Sequence, residues 1–230
     1  MAKPIPVENS EEFTRLLTAL VNDIRDSHDS YRLYRKLGDA LKEYESEFHQ
    51  SPAFWNLTMR GLIDSAVLKL CRVYDQYDTA NHLNGWLLTI KANPSLFEES
   101  QFRERLKQNP AVESLAKYGT IPKRDDLERD LLLTSAADPD VSVLLGWRGS
   151  VVAHSSAKIV KGETEWTEKN PLTWNLIEKL IARAFDIFNR YCLLFNATSY
   201  TTMLIGENDY KGLLELVRLG VKKLREDRDF

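Results

Sequence analysis

Apolar residues recur at spacings of three and four along most of this chain, and nowhere is an alternation of period two sustained long enough to make a sheet strand. The pattern therefore predicts helices almost throughout. A first helix starts after Asn9 or Ser10, with Glu12 set for a capping box, and buries Phe13, Leu16, Leu17, Leu20 and Ile24. The polar run Asp26-Ser27-His28-Asp29-Ser30 reads as a break, after which Tyr31, Tyr34, Leu37, Leu41, Tyr44 and Phe48 line a second helix. Pro52 opens a third, to about Gln76, whose apolar residues cover more than half its circumference, the mark of a central helix. Within it Arg60 and Asp64 stand at i and i+4, a spacing that pairs them locally.

From residue 77 to 136 the pattern is less regular. Asn81 to Ile90 and Asp125 to Leu133 read as helices, while Pro94, Pro110 and Pro122 interrupt the chain. Asp138-Pro139 provides an N-cap and a proline at the first helical position of the next helix, and Asn170-Pro171 repeats the pair before a long seam through Trp174, Ile177, Ile181, Ala184, Phe188, Tyr191 and Phe195. Asp209 begins a last helix. The single departure from helix is a short hairpin around Gly162, between Ala157 and Trp166. The expected architecture is all-α: one domain over residues 1–230, an elongated bundle of six to eight helices with an irregular insertion at 77–136.

Composition narrows the function. Hydrophobic residues make up 43% of the chain against 10 Gly and 8 Pro, enough for a core built from long elements. A net charge of −3 disfavours broad, non-specific nucleic-acid binding, so any RNA contact is local. The basic residues near the C-terminus alternate with Glu226, Asp227 and Asp229 and read as a solvated helix end. Apolar runs are as short as Leu131-Leu132-Leu133 and no apolar block follows Met1-Ala2-Lys3-Pro4, which predicts a cytoplasmic protein with no membrane partner. Cys71 and Cys192 lie in apolar helical stretches and read as reduced core thiols, and His28, His49 and His82 stand apart without metal-ligand spacing. Neither a metal nor a cofactor is expected.

The candidate chemistry lies at Trp147-Arg148-Gly149-Ser150-Val151-Val152-Ala153-His154-Ser155. Arg148 falls among Val141, Leu144 and Leu145 on the side expected to face the core. A guanidinium taken from water needs a carboxylate, carbonyls or a bound anion, because its desolvation costs several kcal/mol, on the order of the ion penalty in proteins. Asp64 or Asp75 of the third helix would supply the carboxylate if that helix packs on the motif helix. Gly146, Gly149 or Ser150, Ala153 and Ala157 form a second stripe of small residues, which calls for close approach of another backbone. Were that backbone the same helix of a second subunit, two Arg148 and two His154 would meet at a two-fold axis. Imidazole moves protons near neutral pH and arginine grips phosphate bidentately, so the pair suits cleavage of RNA, whose 2′-hydroxyl is a built-in nucleophile. Ser150, Ser155 and Lys158 are candidate phosphate or ribose contacts, for which helix capping and solvation are equal explanations.

Arg148-Gly149-Ser150-Val151-Val152-Ala153-His154 resembles the signature of the HEPN superfamily (higher eukaryotes and prokaryotes nucleotide-binding), an arginine followed after four to six residues by a histidine. Phe54-Trp55 opening a helix through Leu70-Cys71-Arg72-Val73-Tyr74-Asp75, the motif in the C-terminal half, the long apolar helix after it and the closing Asp209-Tyr210 look like its abortive-infection, AbiU-like branch. The resemblance implies an endoribonuclease without a metal, acting as a homodimer on RNA in phage defence or toxin-antitoxin control, with an antitoxin protein as a further partner and Arg148 and His154 as catalytic residues. This chain has Gly149 where many members carry Asn or Asp, and Ser156 where toxin members often carry Tyr. A second class therefore stands beside the first: a catalytically inactive HEPN-type dimer that binds a nucleotide or a protein. A third is a structural helical module with Arg148 paired to an internal carboxylate such as Asp64.

Overall fold

A computed structural model of the chain describes residues 2–117, 119–152 and 160–227. Every regular element among them is a helix, and eight α-helices reach seven residues or more. They fall into two compact units, one formed by the chain up to Arg25 with Val67–Thr202, the other by Asp26–Ala66 with the chain from Met203 on.

Helix α1 (Ser10–Ala40) begins where expected. The Asn9 side chain accepts from Glu12 N at 2.9 Å, and the Glu12 carboxylate accepts in return from Glu8 N at 2.9 Å, so two otherwise orphaned amides are satisfied. The break expected at Asp26–Ser30 does not occur, and α1 runs straight through it. That run holds neither Gly nor Pro, and Ser27, fully buried, donates its hydroxyl to Ala66 O at 2.8 Å, so it packs as a satisfied core residue instead of opening a loop. The chain ends α1 at Ala40 and turns, so that Tyr44 and Phe48 belong to the short α2 (Glu45–Phe48) region. With α3 (Pro52–Val73), these elements and the last helix build the smaller core, in which Leu37, Ala40, Tyr44, Phe48 and Trp55 enclose Leu214.

The larger unit is centred on Trp86 of α4 (Leu83–Ala92), which stacks on Phe13 and Phe188 at 5.7 and 5.1 Å between ring centroids and meets Tyr191 edge-on at 6.2 Å. Such tilted and offset pairs strengthen a core beyond its buried area. The irregular stretch contains more helix than its pattern suggested: a 3-10 turn at Pro94–Phe97, then α5 (Glu99–Arg105), α6 (Val112–Ala116) and α7 (Arg124–Leu133). After α8 (Pro139–Trp147) come α9 (Glu165–Lys169), α10 (Trp174–Asn196) and α11 (Asp209–Glu226). The described part of the expected hairpin holds no strand: Gly162 lies in a turn at φ 89°, and α9 starts at Glu165. Asn170 ends α9, and the N-cap of α10 is Thr173, whose hydroxyl accepts from Leu176 N at 3.2 Å. Helix α10 holds the unit together: Tyr191 and Arg190 both donate to the buried Asp130 of α7, and Leu180 O accepts from the Tyr74 hydroxyl at 2.8 Å.

Candidate functional site

Helix α8 delivers Arg148, and its start is fixed from two directions. The Asp138 carboxylate accepts from Asp140 N and Val141 N at 3.0 and 3.1 Å, which completes the expected cap. Arg183 of α10 donates to Asp138 at 2.8 Å, to Asp140 at 2.5 Å and to Leu133 O at 3.0 Å. Val141 and Leu144 are fully buried beneath, so the helix direction follows from packing as well as charge.

Past Trp147 the backbone widens into a π-type turn, Arg148–Val152. Such turns are rare and recur at functional sites. They also alter the residue-to-residue rotation, so the 100° step of an ideal helix does not carry across from Arg148. The Arg148 side chain is 36% exposed, and its Nη1 lies 2.5 Å from Asp75 Oδ1. Asp75 itself is buried, and the same oxygen accepts from Gln76 N and Tyr77 N at 2.7 and 3.2 Å. The Gln76 amide in turn donates to Tyr74 O, Asp75 O and Thr134 O at 3.0, 2.9 and 3.0 Å. The turn that follows α3 is therefore pinned to the end of α7, and the carboxylate is rigid before Arg148 reaches it.

Of the two carboxylates the pattern offered, Asp75 is the one on Arg148. Asp64 is exposed, 3.8 Å from Arg60 Nε in the expected i, i+4 pair. Ser150 is half-buried within the π-type turn. His154, Ser155 and Lys158 lie outside the described residues, as do Ala153 and Ala157 of the small-residue stripe.

The stripe has a different cause at its first member. A Cβ on Gly146 would stand 2.2 Å from the Trp166 ring of α9, so the close neighbour there is a side chain of the same chain and not a second backbone. Next to it Trp147 Nε1 donates to Asn170 O at 2.6 Å, which ties the end of α9 to α8. At Gly149 a Cβ would meet nothing within 4 Å among the described residues. Sequence reasoning missed Trp166 because its segment read as a hairpin, and it read Asn170 as the cap of the next helix and not as the acceptor for Trp147. A tryptophan in a polar stretch, 42% exposed once folded, was the available signal.

The neighbouring nucleophiles and imidazoles have structural roles. Burial pushes the Cys71 thiol up to about 12, and with Cys192 it is a free core cysteine as expected. His82 is fully buried, and its Nδ1 accepts from Gly85 N at 3.1 Å as the N-cap of α4. Among the described residues no group of three or more His, Cys, Asp or Glu is placed to hold a metal ion, and no helix is long and apolar enough to cross a membrane.

One family description, HEPN_AbiU2 (AbiU2), matches residues 10–216. No curated protein and no solved structure matches the chain.

Proposed function

Because this chain belongs to the AbiU2 family of abortive-infection HEPN proteins, we propose that it is an endoribonuclease that cleaves RNA without a metal, through Arg148 and His154 brought together in a homodimer. The observation that carries this reading is the state of Arg148: a guanidinium held by a buried, already satisfied carboxylate, in a π-type turn, with over a third of its side chain still accessible. An arginine meant only to close an ion pair gains nothing from that accessibility. One meant to receive a phosphate needs it.

In the reaction, the His154 imidazole takes the proton of a ribose 2′-hydroxyl. The 2′-oxygen attacks the adjacent phosphorus, the bond from phosphorus to the 5′-oxygen breaks, and that oxygen leaves with the proton that the imidazole took up. The products are a 2′,3′-cyclic phosphate and a 5′-hydroxyl. Arg148 stabilises the charge that builds on the non-bridging oxygens, the term that weighs most in such reactions, and Asp75 keeps its guanidinium plane in place. Ser150, Ser155 and Lys158 would contact phosphate or ribose beside it. An antitoxin protein that covers this site would hold the activity in check.

The test is cleavage of mixed RNAs by purified protein with chelator present, beside His154→Ala and Arg148→Ala. The reading expects cyclic-phosphate ends from the wild type and losses on the order of 10² to 10⁴ in the His154 variant, the usual weight of general acid–base catalysis. Equal cleavage by wild type and His154→Ala discards it.

A further inference from the structure

Helix α11 is amphipathic twice over. One side packs into its own unit: Leu214 is fully buried, Glu215 accepts from the Tyr44 hydroxyl at 2.9 Å, and Arg218 donates to Glu47 at 2.8 Å and to Glu43 O at 3.0 Å. The opposite side carries Leu213, Leu216 and Leu219, exposed by 48, 68 and 61%. Contiguous apolar surface of this kind marks a contact made with something else.

The order of residues on that exposed side identifies the partner. About Leu216 the face reads the same in both directions: Leu213 and Leu219 lie three residues away, Gly212 and Gly220 four, and Asp209 and Lys223 seven. These offsets of three, four and seven are the ones that stack residues along one helix face. All seven positions are exposed. The symmetry is one of size as well as polarity, with glycine matched by glycine and leucine by leucine, and at the ends it becomes complementarity of charge.

We infer that this face pairs with the α11 face of a second copy of the chain, the two helices antiparallel about a two-fold axis at Leu216. A two-fold contact requires a surface complementary to itself under rotation. In an antiparallel pair, each Leu213 faces the other copy's Leu219, each Gly212 its Gly220, and each Asp209 its Lys223. A parallel pair would set Asp209 against Asp209 and Lys223 against Lys223. Glycine weakens a helix interior, yet a Cβ on Gly212 or Gly220 would meet nothing within 4 Å, so no contact among the described residues explains either one. Close approach of a second helix does. The antiparallel arrangement also sets each helix N-terminus beside the other's C-terminus, where Asp209 and Lys223 add to the favourable dipole alignment. Lys223 meanwhile sits 2.8 Å from Asp227 in an exposed pair, which exchanges partners at little cost.

This contact uses none of the residues of the Arg148 site and does not rest on the nuclease reading. The test uses the full chain without RNA. A residue on a two-fold axis meets itself, so Leu216→Cys should give a covalent dimer under mild oxidation, whereas Lys211→Cys, on the flank, should not. The native Cys71 and Cys192 are buried, which keeps the wild-type background low. Asp209→Lys and Lys223→Asp should each weaken association measured by sedimentation equilibrium, and the double swap should restore it, with circular dichroism confirming that α11 stays helical. A protein that is monomeric up to its solubility limit overturns the inference. So does a dimer that yields no cross-link through Leu216→Cys and ignores the charge swaps. In that second case the nuclease reading stands untouched.

Discussion

Asp75 and Arg148 are 73 residues apart in sequence, and what joins them is chemistry the turn after α3 prepares in advance. Asp75 Oδ1 accepts three hydrogen bonds, two from its own turn. Asp75→Asn keeps the volume and removes the charge that Arg148 answers, so it should cost about 2 kcal/mol in a denaturant melt, the worth of a hydrogen bond to a charged group. In the cleavage assay it should lower turnover more than RNA binding, because Arg148 keeps its charge and loses its orientation. His82 offers a second residue-scale test. Burial holds its imidazole below the ordinary 6.5, with Asp75, a backbone hydrogen bond at Tyr77 and Asp78 opposing the shift only in part. The unfolded chain then binds a proton at a pH where the folded chain does not, so stability is full above 6.5 and falls as the pH drops toward the lowered value. His82→Asn, which keeps an acceptor for Gly85 N, should flatten that decline in a series of thermal melts across the acid range. An undiminished slope would assign the acid sensitivity to other groups.

At the scale of elements, Gly146 and Trp166 make the strongest local demand. Gly146→Ala drives a methyl into the indole, and overpacking of this kind costs about 1–3 kcal/mol. In a Trp166→Ala background the same change should cost nearly nothing, and a double-mutant cycle by urea melts reads the difference. Equal costs in both backgrounds would mean that the indole is not the obstacle. Most elements were legible in the pattern of apolar residues: the cap at Asn9, the Asp138-Pro139 start of α8 and the seam of α10 all follow from local chemistry that the chain carries with it. What stayed hidden was decided at a distance. Ser27 looks like a loop residue until Ala66 O is there to accept its hydroxyl. Asn170-Pro171 looks like a cap, yet the next helix waits for Thr173. The π-type turn at Arg148 has no signature in spacing at all. The arginine itself was legible, as a charge on an apolar face, and so was its need for a carboxylate. Which of two carboxylates would meet it was not, since Asp64 and Asp75 are equally plausible until the end of α3 is located.

For the whole molecule, the family match over residues 10–216 takes in segments of both compact units, so the helices of each belong to one inherited plan. A net charge of −3 disfavours general affinity for nucleic acid, and the proposed chemistry instead draws on a few groups gathered by assembly. That requirement can be tested without a structure of the complex. Arg148→Ala and His154→Ala are each expected to be inactive alone. Mixed in equal amounts and allowed to exchange subunits, half the dimers carry one chain of each kind. If a working site combines the arginine of one chain with the histidine of the other, each mixed dimer has one intact site of two, and about a quarter of the wild-type rate should return, as the symmetry of a two-fold dimer dictates. If both residues act from the same chain, the mixture stays inactive however long it exchanges, and the Arg148 site would then be complete within one subunit, with any dimer serving another purpose.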